Sequence, residues 1–359
     1  NSIIKNNIDK SIENVIKNGN FIQGEEVKTL ESKLSEYVGT NCVTCANGTD
    51  ALYIALRALG VKAGDEVIVP SFTWISTAGV VKLLDAIPIF ADIEEDTFNI
   101  SVKDIENKIT NKTKAIIPVS IFGRSCEIIE ICDIAHSHSI PVIEDSAQGF
   151  GSKYKGIMSC SYADISTTSF FPAKPLGCYG DGGAIFCKNN ELFEKLRAIT
   201  KHGQKGRYNY VDVGMNSRLD TIQAAILLEK LKIYENEIIE RNRVANKYNH
   251  YLVNDLIIKP SIPTNDDRSV WAQYTILLER SISNKRGKIM EKMKAKNIPT
   301  ALYYPAPLHL QKPFYKNETL PVTESISKRV LSLPMHPYLN DDEIKLIATT
   351  LSEVIDIFR

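Results

Sequence analysis

The chain has no long hydrophobic run. Nowhere do 18 apolar residues follow one another, which is about the minimum for a membrane-spanning helix, so no membrane partner is expected. It has no excess charge of either sign: 43 Lys and Arg balance 43 Asp and Glu, for a net charge of zero. Sequence-independent nucleic-acid binding needs surplus cations, so that class is set aside. It has no disulfide framework either. Seven Cys, an odd number at irregular spacing, read as reduced thiols of a cytoplasmic protein. Cys42-x-x-Cys45 has no second pair at zinc-ligand spacing, and Val43 and Ala46 beside it look like core, so no metal is expected. His136 and His138 read as surface or helix-end residues. There is no internal repeat, no low-complexity tract and no apolar signal segment. The chain opens on Asn-Ser-Ile-Ile without an initiator Met, so a short preceding piece is expected.

What is present is an ordinary globular composition, 43% hydrophobic and 24% charged, over 359 residues. That length suits two domains. Residues 1–38 read as two helices joined at Asn18-Gly19-Asn20, with Ile8, Ile12, Val15 and Ile16 at helical spacing. From 39 to 250, strands and helices alternate. Strands are expected at Glu66 to Val69, Ile87 to Ala91, Ala115 to Val119, Pro141 to Ile143, 164–169 and 183–187. Helices are expected at Asp50 to Leu59, Thr77 to Leu84 and Cys126 to His136, with one long helix from Thr221 to about Tyr251. This is the α/β pattern of a mostly parallel sheet sandwiched by helices. Residues 251–359 read as a smaller C-terminal α+β domain, with a strand at Ala272 to Leu278 and helices near 284–296, 323–331 and 341–357.

Ligands in such sheets gather at the carboxyl ends of strands. The apolar run Ile140-Pro141-Val142-Ile143 ends in Glu144-Asp145-Ser146-Ala147-Gln148. Lys174 follows Asp145 by about thirty residues, in Ser169-Phe170-Phe171-Pro172-Ala173-Lys174-Pro175-Leu176-Gly177, with Gly180-Asp181-Gly182-Gly183 after it. A carboxylate ending one buried strand and a lysine just past the next is the minimum kit for pyridoxal 5'-phosphate (PLP). The carboxylate keeps a proton on the pyridine nitrogen, and the amine holds the aldehyde as a Schiff base. Taken singly, Lys174 also reads as a solvated charge and Asp145 as a turn or cap. Ala46-Asn47-Gly48-Thr49-Asp50 opens a helix, where free N–H groups and the helix dipole suit a phosphate, although an ordinary N-cap has the same sequence. Trp74, just beyond a strand end, reads either as core packing or as a face for a cofactor ring.

Together these segments resemble the DegT/DnrJ/EryC1/StrS family of sugar-nucleotide aminotransferases, which have the PLP fold-type I architecture. The likeness runs from Gly19-Asn20-Phe21-Ile22-Gln23-Gly24 to Ser332-Leu333-Pro334-Met335-His336-Pro337, with six motifs in family order. The resemblance implies that Gly48, Thr49 and Ser169 bind the PLP phosphate and that Asp145 pairs with the pyridine nitrogen. It implies that Gln148 contacts the ring or its 3-hydroxyl region, that Trp74 stacks on the ring and that Lys174 carries the cofactor. Asn216, in Gly214-Met215-Asn216-Ser217-Arg218, is implied to reach the phosphate of a neighbouring subunit, which makes a homodimer with shared sites. Arg218, Tyr303, Tyr304 and His309 are implied on the substrate side.

The implied reaction takes an amino group from L-glutamate, releases 2-oxoglutarate, and passes the group to a keto-sugar nucleotide for surface polysaccharide biosynthesis (lipopolysaccharide O-antigen among them). The lysine loop is most similar to the subgroup that aminates C3 of 3-keto sugar nucleotides, and a UDP-linked 3-keto sugar is the expected acceptor. A dTDP-linked 3-keto-6-deoxyhexose and a 4-keto sugar stand as alternatives. Tyr303 stands where members acting on a 3-keto uronate often have His, and a phenol supplies no cation to a carboxylate. A relative that binds PLP and regulates without catalysing is the alternative of another class.

Overall fold

A computed structural model describes residues 4–359; the first three residues of the N-terminal helical segment lie outside the described residues. The main sheet is built from β1 (Asn41–Cys45), β2 (Glu66–Pro70), β3 (Ile87–Ala91), β4 (Thr113–Ile116), β5 (Ile143–Asp145), β6 (Ile165–Ser169) and β7 (Gly183–Cys187). β2 pairs in parallel with β3 and β4, and β5 pairs in parallel with β6. Parallel bridges from Ile116 to Val142 and from Val119 to Asp145 join the two halves. The order is therefore β1-β7-β6-β5-β4-β2-β3, with β7 antiparallel to both its neighbours. The strands are β-branched and apolar because helices cover both faces, so neither side of the pleat meets water.

Two of these helices frame the site. α3 (Gly48–Ala58) follows β1, and α4 (Ser76–Leu83) follows β2. Asn47 caps α3 by accepting the Asp50 N–H at 2.8 Å, and Ala51, Ile54, Ala55 and Leu56 form the buried stripe that docks it on the sheet. The N-terminal pair, α1 (Lys5–Asn18) and α2 (Glu25–Val38), is separated at Gly19, whose φ of +70° ends α1 in the left-handed cap that glycine tolerates best. α2 packs its Val27, Leu30 and Leu34 against the lysine-loop side of the sheet. Between β3 and β5 lie α5 (Val102–Lys108) and α6 (Ile128–Ser137), and α7 (Asn190–Thr200) follows β7.

The expected long helix from Thr221 to Tyr251 is two helices, α8 (Thr221–Leu231) and α9 (Tyr234–Tyr251). The break falls at Lys232 and Ile233, where the Ile233 N–H turns to Lys230 O at 3.2 Å. No Gly or Pro marks it. The change of direction buries the Tyr234 ring on Phe150 and lets its hydroxyl donate to Phe150 O at 2.5 Å. The C-terminal part carries the antiparallel sheet β8 (Ile257–Ile258), β9 (Tyr274–Leu278) and β10 (Val330–Leu333), under α9, α10 (Arg286–Ala295) and α12 (Asp341–Asp356). The helix expected at 323–331 is α11 (Pro321–Arg329), shorter at its end because Val330 already pairs in β10.

The C-terminal part is tied to the main sheet beside the site. Asp92, just past β3, caps α11 across the chain: its Oδ1 accepts from Thr323 N and Oγ1 at 2.8 and 2.7 Å, and its Oδ2 from Val322 N at 3.0 Å. Arg329 donates to Glu95 at 2.8 Å and to Leu278 O at 2.9 Å. Leu308, Phe314 and Leu320 pack into the core of the main sheet, so the chain returns to the large unit between β9 and α11.

Candidate active site

Asp145 is the last residue of β5 and Ser169 the last of β6, so both side chains project at the carboxyl edge of the sheet. They open with Lys174 onto a cavity of about 410 Å³, walled also by the start of α3, by Thr73, Trp74 and Ser76 ahead of and in α4, and by Gln273, Tyr303 and Tyr304 from the C-terminal half. The lysine loop is tightly folded. Phe170 exchanges backbone hydrogen bonds with Gly182 and Cys178 at 2.8 Å each, and the Lys174 N–H closes a turn on Phe171 O at 2.8 Å. Gly177 must be glycine, since a Cβ there would lie 2.7 Å from Phe171 O. Lys230 donates from below to Gly177 O.

The two ionisable groups perturb each other in opposite senses. Burial pushes the Lys174 amine below the usual lysine value, and the Asp145 charge partly restores it. Burial pushes the Asp145 carboxyl up, against the Ala147 N–H at 3.1 Å, the Thr77 hydroxyl at 2.9 Å and the Lys174 charge, all of which favour the anion. A lysine with a lowered pKa has more neutral, nucleophilic amine near physiological pH.

Opposite the lysine, the first N–H groups of α3 have no partner within their helix. Gly48 is pressed on Ser169, where an added Cβ would lie 2.8 Å from the serine Cβ and 3.3 Å from its Oγ. Thr49 Oγ1 and Ser76 Oγ lie 2.8 Å apart at the same edge. A helix N-terminus ringed by three hydroxyls and approached without side-chain bulk suits a phosphate. An amine, a buried carboxylate and that cradle around one cavity fit PLP. The aromatic wall adds a face: Trp74 is 60% exposed, with its ring 6.4 Å from that of Tyr304. Gln148 is held at both ends. Its Oε1 accepts from Phe122 N at 2.7 Å, and its Nε2 donates to the Tyr304 hydroxyl at 3.0 Å. That second bond bridges the two halves of the chain. Burial also raises the Tyr304 phenol well above its usual pKa, so it stays protonated.

Of the residues expected from sequence, Lys174, Asp145, Gly48, Thr49, Trp74, Gln148, Ser169, Tyr303 and Tyr304 gather at this cavity. Three others do not. His309 is fully buried behind the wall, with Nδ1 2.7 Å from Ser71 Oγ and its ring against Phe90. It therefore braces the loop after β2 and does not line this cavity. Asn216 is exposed and Arg218 half-buried on the segment before α8, outside this chain's own cavity lining. The sequence reading missed Thr77, Ser76, Asp181 and Gln273. Thr77 and Ser76 had one available signal, hydroxyls in the first turn of a helix that follows a strand end.

The cysteines offer no competing centre. All seven are free and buried, and burial raises the Cys42 and Cys45 thiols, which disfavours the thiolate a metal needs. No helix among the described residues is long and apolar enough to cross a membrane.

The model of the DegT/DnrJ/EryC1/StrS aminotransferase family matches residues 2–352. The chain belongs to this family. Among relatives, it is 48% identical to the UDP-2-acetamido-2-deoxy-3-oxo-D-glucuronate aminotransferase of Pseudomonas aeruginosa, covering 97% of this chain and 96% of that one. It is 38% identical to the UDP-N-acetyl-3-dehydro-alpha-D-glucosamine 3-aminotransferase of Acidithiobacillus ferrooxidans, covering 98% and 95%. Among solved structures, a family member from Brucella abortus superposes with a TM-score of 0.93 at 42% identity, covering 98% and 96%. A Bacillus subtilis protein with bound cofactor PMP gives 0.92 at 32% identity, covering 99% and 83%. The mostly parallel α/β fold expected of this family is the one found.

Proposed function

We propose that this aminotransferase takes the amino group of L-glutamate and delivers it to C3 of a UDP-linked 2-acetamido-3-keto sugar, with PLP as cofactor. The observation that carries the reading is the buried Lys174 amine facing Asp145 in a cavity with a phosphate cradle at its far edge. The names of the two relatives, both acting on UDP-linked 3-keto sugars, support the acceptor class over dTDP-linked or 4-keto alternatives.

In this reading Gly48, Thr49 and Ser169 hold the phosphate, Asp145 the ring nitrogen, Gln148 the ring's hydroxyl side, and Trp74 the ring face. PLP supplies an electron sink next to the carbon that loses its proton. Lys174 Nζ, kept partly neutral by burial, takes that proton from the α carbon of the amino donor and in the return half gives one to C3 of the sugar. The Thr77 and Ala147 bonds favour the Asp145 anion against its burial, and that carboxylate would hold a proton on the ring nitrogen. Tyr303 and Tyr304 flank the acceptor. Asn216 and Arg218, outside their own chain's cavity lining, complete the site of a second copy in a homodimer.

The test is spectroscopic. PLP-loaded protein should be yellow, glutamate should bleach the visible band, and only an acceptable keto sugar should restore it. A panel of UDP- and dTDP-linked 3- and 4-keto sugars, with and without a C6 carboxylate, then reads the specificity. Lys174→Ala should lose turnover entirely. A band that glutamate leaves unchanged would instead favour a non-catalytic PLP-binding protein.

A further inference from the structure

The lysine loop is held from one side by α8. Gln223 grips the backbone of Tyr179 at both ends: its Oε1 accepts from Tyr179 N at 2.9 Å, and its Nε2 donates to Tyr179 O at 3.4 Å. Two turns on, the Lys230 amine donates to Gly177 O and lies 5.3 Å from the centre of the Tyr179 ring. Residues seven apart share a helix face, so both side chains meet the same arm of the loop. The apolar side of α8 meets the loop as well, with Ala224 and Leu227 in one buried cluster with Phe170, Leu176 and Cys178. The helix is itself anchored at its start. Thr221 N donates to Phe21 O at 3.0 Å, and Thr221 Oγ1 accepts from Gly24 N at 3.1 Å.

Of the two grips, Lys230 is the stronger. The Gln223 bonds face solvent, where water competes for both partners, whereas the Lys230 bond is half-buried. A hydrogen bond from a charged donor contributes about 1.5–3 kcal/mol, roughly twice a neutral one. Burial pushes the Lys230 amine below the usual lysine value, so the place is costly for a cation that needs only water. The grip reaches Lys174 through two short contacts. Gly177 lies against the outgoing arm of the loop, where a Cβ on it would be 2.7 Å from Phe171 O and 2.8 Å from Pro172 O. Phe171 O in turn accepts the Lys174 N–H at 2.8 Å. A shift of Gly177 is therefore passed to the residue that carries the amine.

We propose that Lys230 is a positioning residue: by holding Gly177 O it fixes the loop from which Lys174 reaches into the cavity. This rests on the aminotransferase reading, in which Lys174 carries the cofactor and moves the proton in both half-reactions. A misplaced loop slows the glutamate step and the sugar step by the same factor. It leaves the binding of each substrate nearly unchanged, because Lys230 lies outside the cavity lining. Misplacing a reacting group by about 1 Å can cost about 100-fold in rate.

The experiment uses full-length protein. Lys230→Met keeps the unbranched stem without the donor, and Lys230→Arg restores a donor. In Lys230→Met, bleaching by glutamate and recovery by a UDP-linked 3-keto sugar should both slow about 10- to 100-fold, with KM for each within about twofold of wild type. Lys230→Gln, milder on folding, should show the same equal slowing at a smaller size. Lys230→Arg should regain most of both rates. Gln223→Leu, which loses only the exposed pair, should slow both steps about two- to fivefold. A readout free of turnover is cofactor capture: cofactor-free Lys230→Met mixed with PLP should form the visible band more slowly than wild type. Unchanged rates of capture and of both half-reactions would overturn the proposal. So would a loss confined to one half-reaction, a rise in KM alone, or a Lys230→Arg protein as slow as Lys230→Met. Wild-type protein that captures PLP but is not bleached by glutamate would overturn the aminotransferase reading itself, and the capture rates would still read the role of Lys230.

Discussion

Replacing Thr77 by Val tests the electrostatics of the site at its least conspicuous member. The two side chains have nearly the same shape, and Thr77 is buried, so the change removes little except the hydroxyl that donates to Asp145 Oδ2 at 2.9 Å. A hydrogen bond to a charged group contributes about 1.5–3 kcal/mol. Losing it lifts the Asp145 pKa further above its already raised value. The sign follows from the bond: the hydroxyl favours the anion, so its loss favours the neutral acid. A neutral carboxyl no longer stabilises a proton on the nitrogen it faces. The glutamate half-reaction should therefore slow about 10- to 100-fold near neutral pH, and the acidic limb of its pH profile should move to higher pH. Stopped-flow bleaching of the visible band from pH 5 to 9 reads both. Thr77→Ser, which keeps the hydroxyl, should retain most of the rate. A Thr77→Val enzyme with the wild-type rate and the wild-type acidic limb would refute the assignment of Asp145 as the ring's partner through this bond.

Gly48→Ala places a Cβ 2.8 Å from that of Ser169; at about 1–3 kcal/mol for the overlap, PLP affinity measured by fluorescence titration should fall about 5- to 100-fold, whereas an ordinary N-cap would leave it unchanged. His309→Ala should cost about 2–3 kcal/mol of stability by breaking the buried Ser71 contact, seen as a lower denaturation midpoint, with KM for the sugar nucleotide within about twofold. Lys174→Ala mixed with a chain substituted at Asn216 and Arg218 should regain up to half the wild-type activity in verified heterodimers, because both lesions fall in one of two shared sites. No recovery in those heterodimers would assign Asn216 and Arg218 to their own chain's cavity.

The parts of the fold that repeat were legible in the sequence. Buried parallel strands must be apolar along their whole length, and the helices between them must carry one apolar stripe, so β2 to β7 could be placed to within a few residues. Lys174, Asp145 and the Gly48-Thr49 turn were legible because each sits where a strand ends or a helix begins. β1 was hidden because Asn41-Cys42-Val43-Thr44-Cys45 is short and mixed in polarity, although only Asn41 is more than slightly exposed. The break between α8 and α9 was hidden because it answers to Tyr234 packing on Phe150, a contact 84 residues away in sequence. His309 misled for a related reason. A histidine in a Pro-rich loop looks available until the loop is seen folded against Ser71 and Phe90. Gln273 carries no local signal and Thr77 only that of a hydroxyl in a helix's first turn; what distinguishes them is what lies opposite.

The bond from Gln148 to Tyr304, with Asp92 capping α11, fastens the two halves of the chain on either side of the cavity. These contacts hold the walls of the chamber in place from both halves of the chain. On the proposed reading, glutamate and the sugar nucleotide take turns in this one cavity. Either compound in excess can therefore lodge in the enzyme form meant for the other, so each should act as a competitive inhibitor of its counterpart. The rate of amino-sugar production would then follow the ratio of the two pools rather than the size of either one.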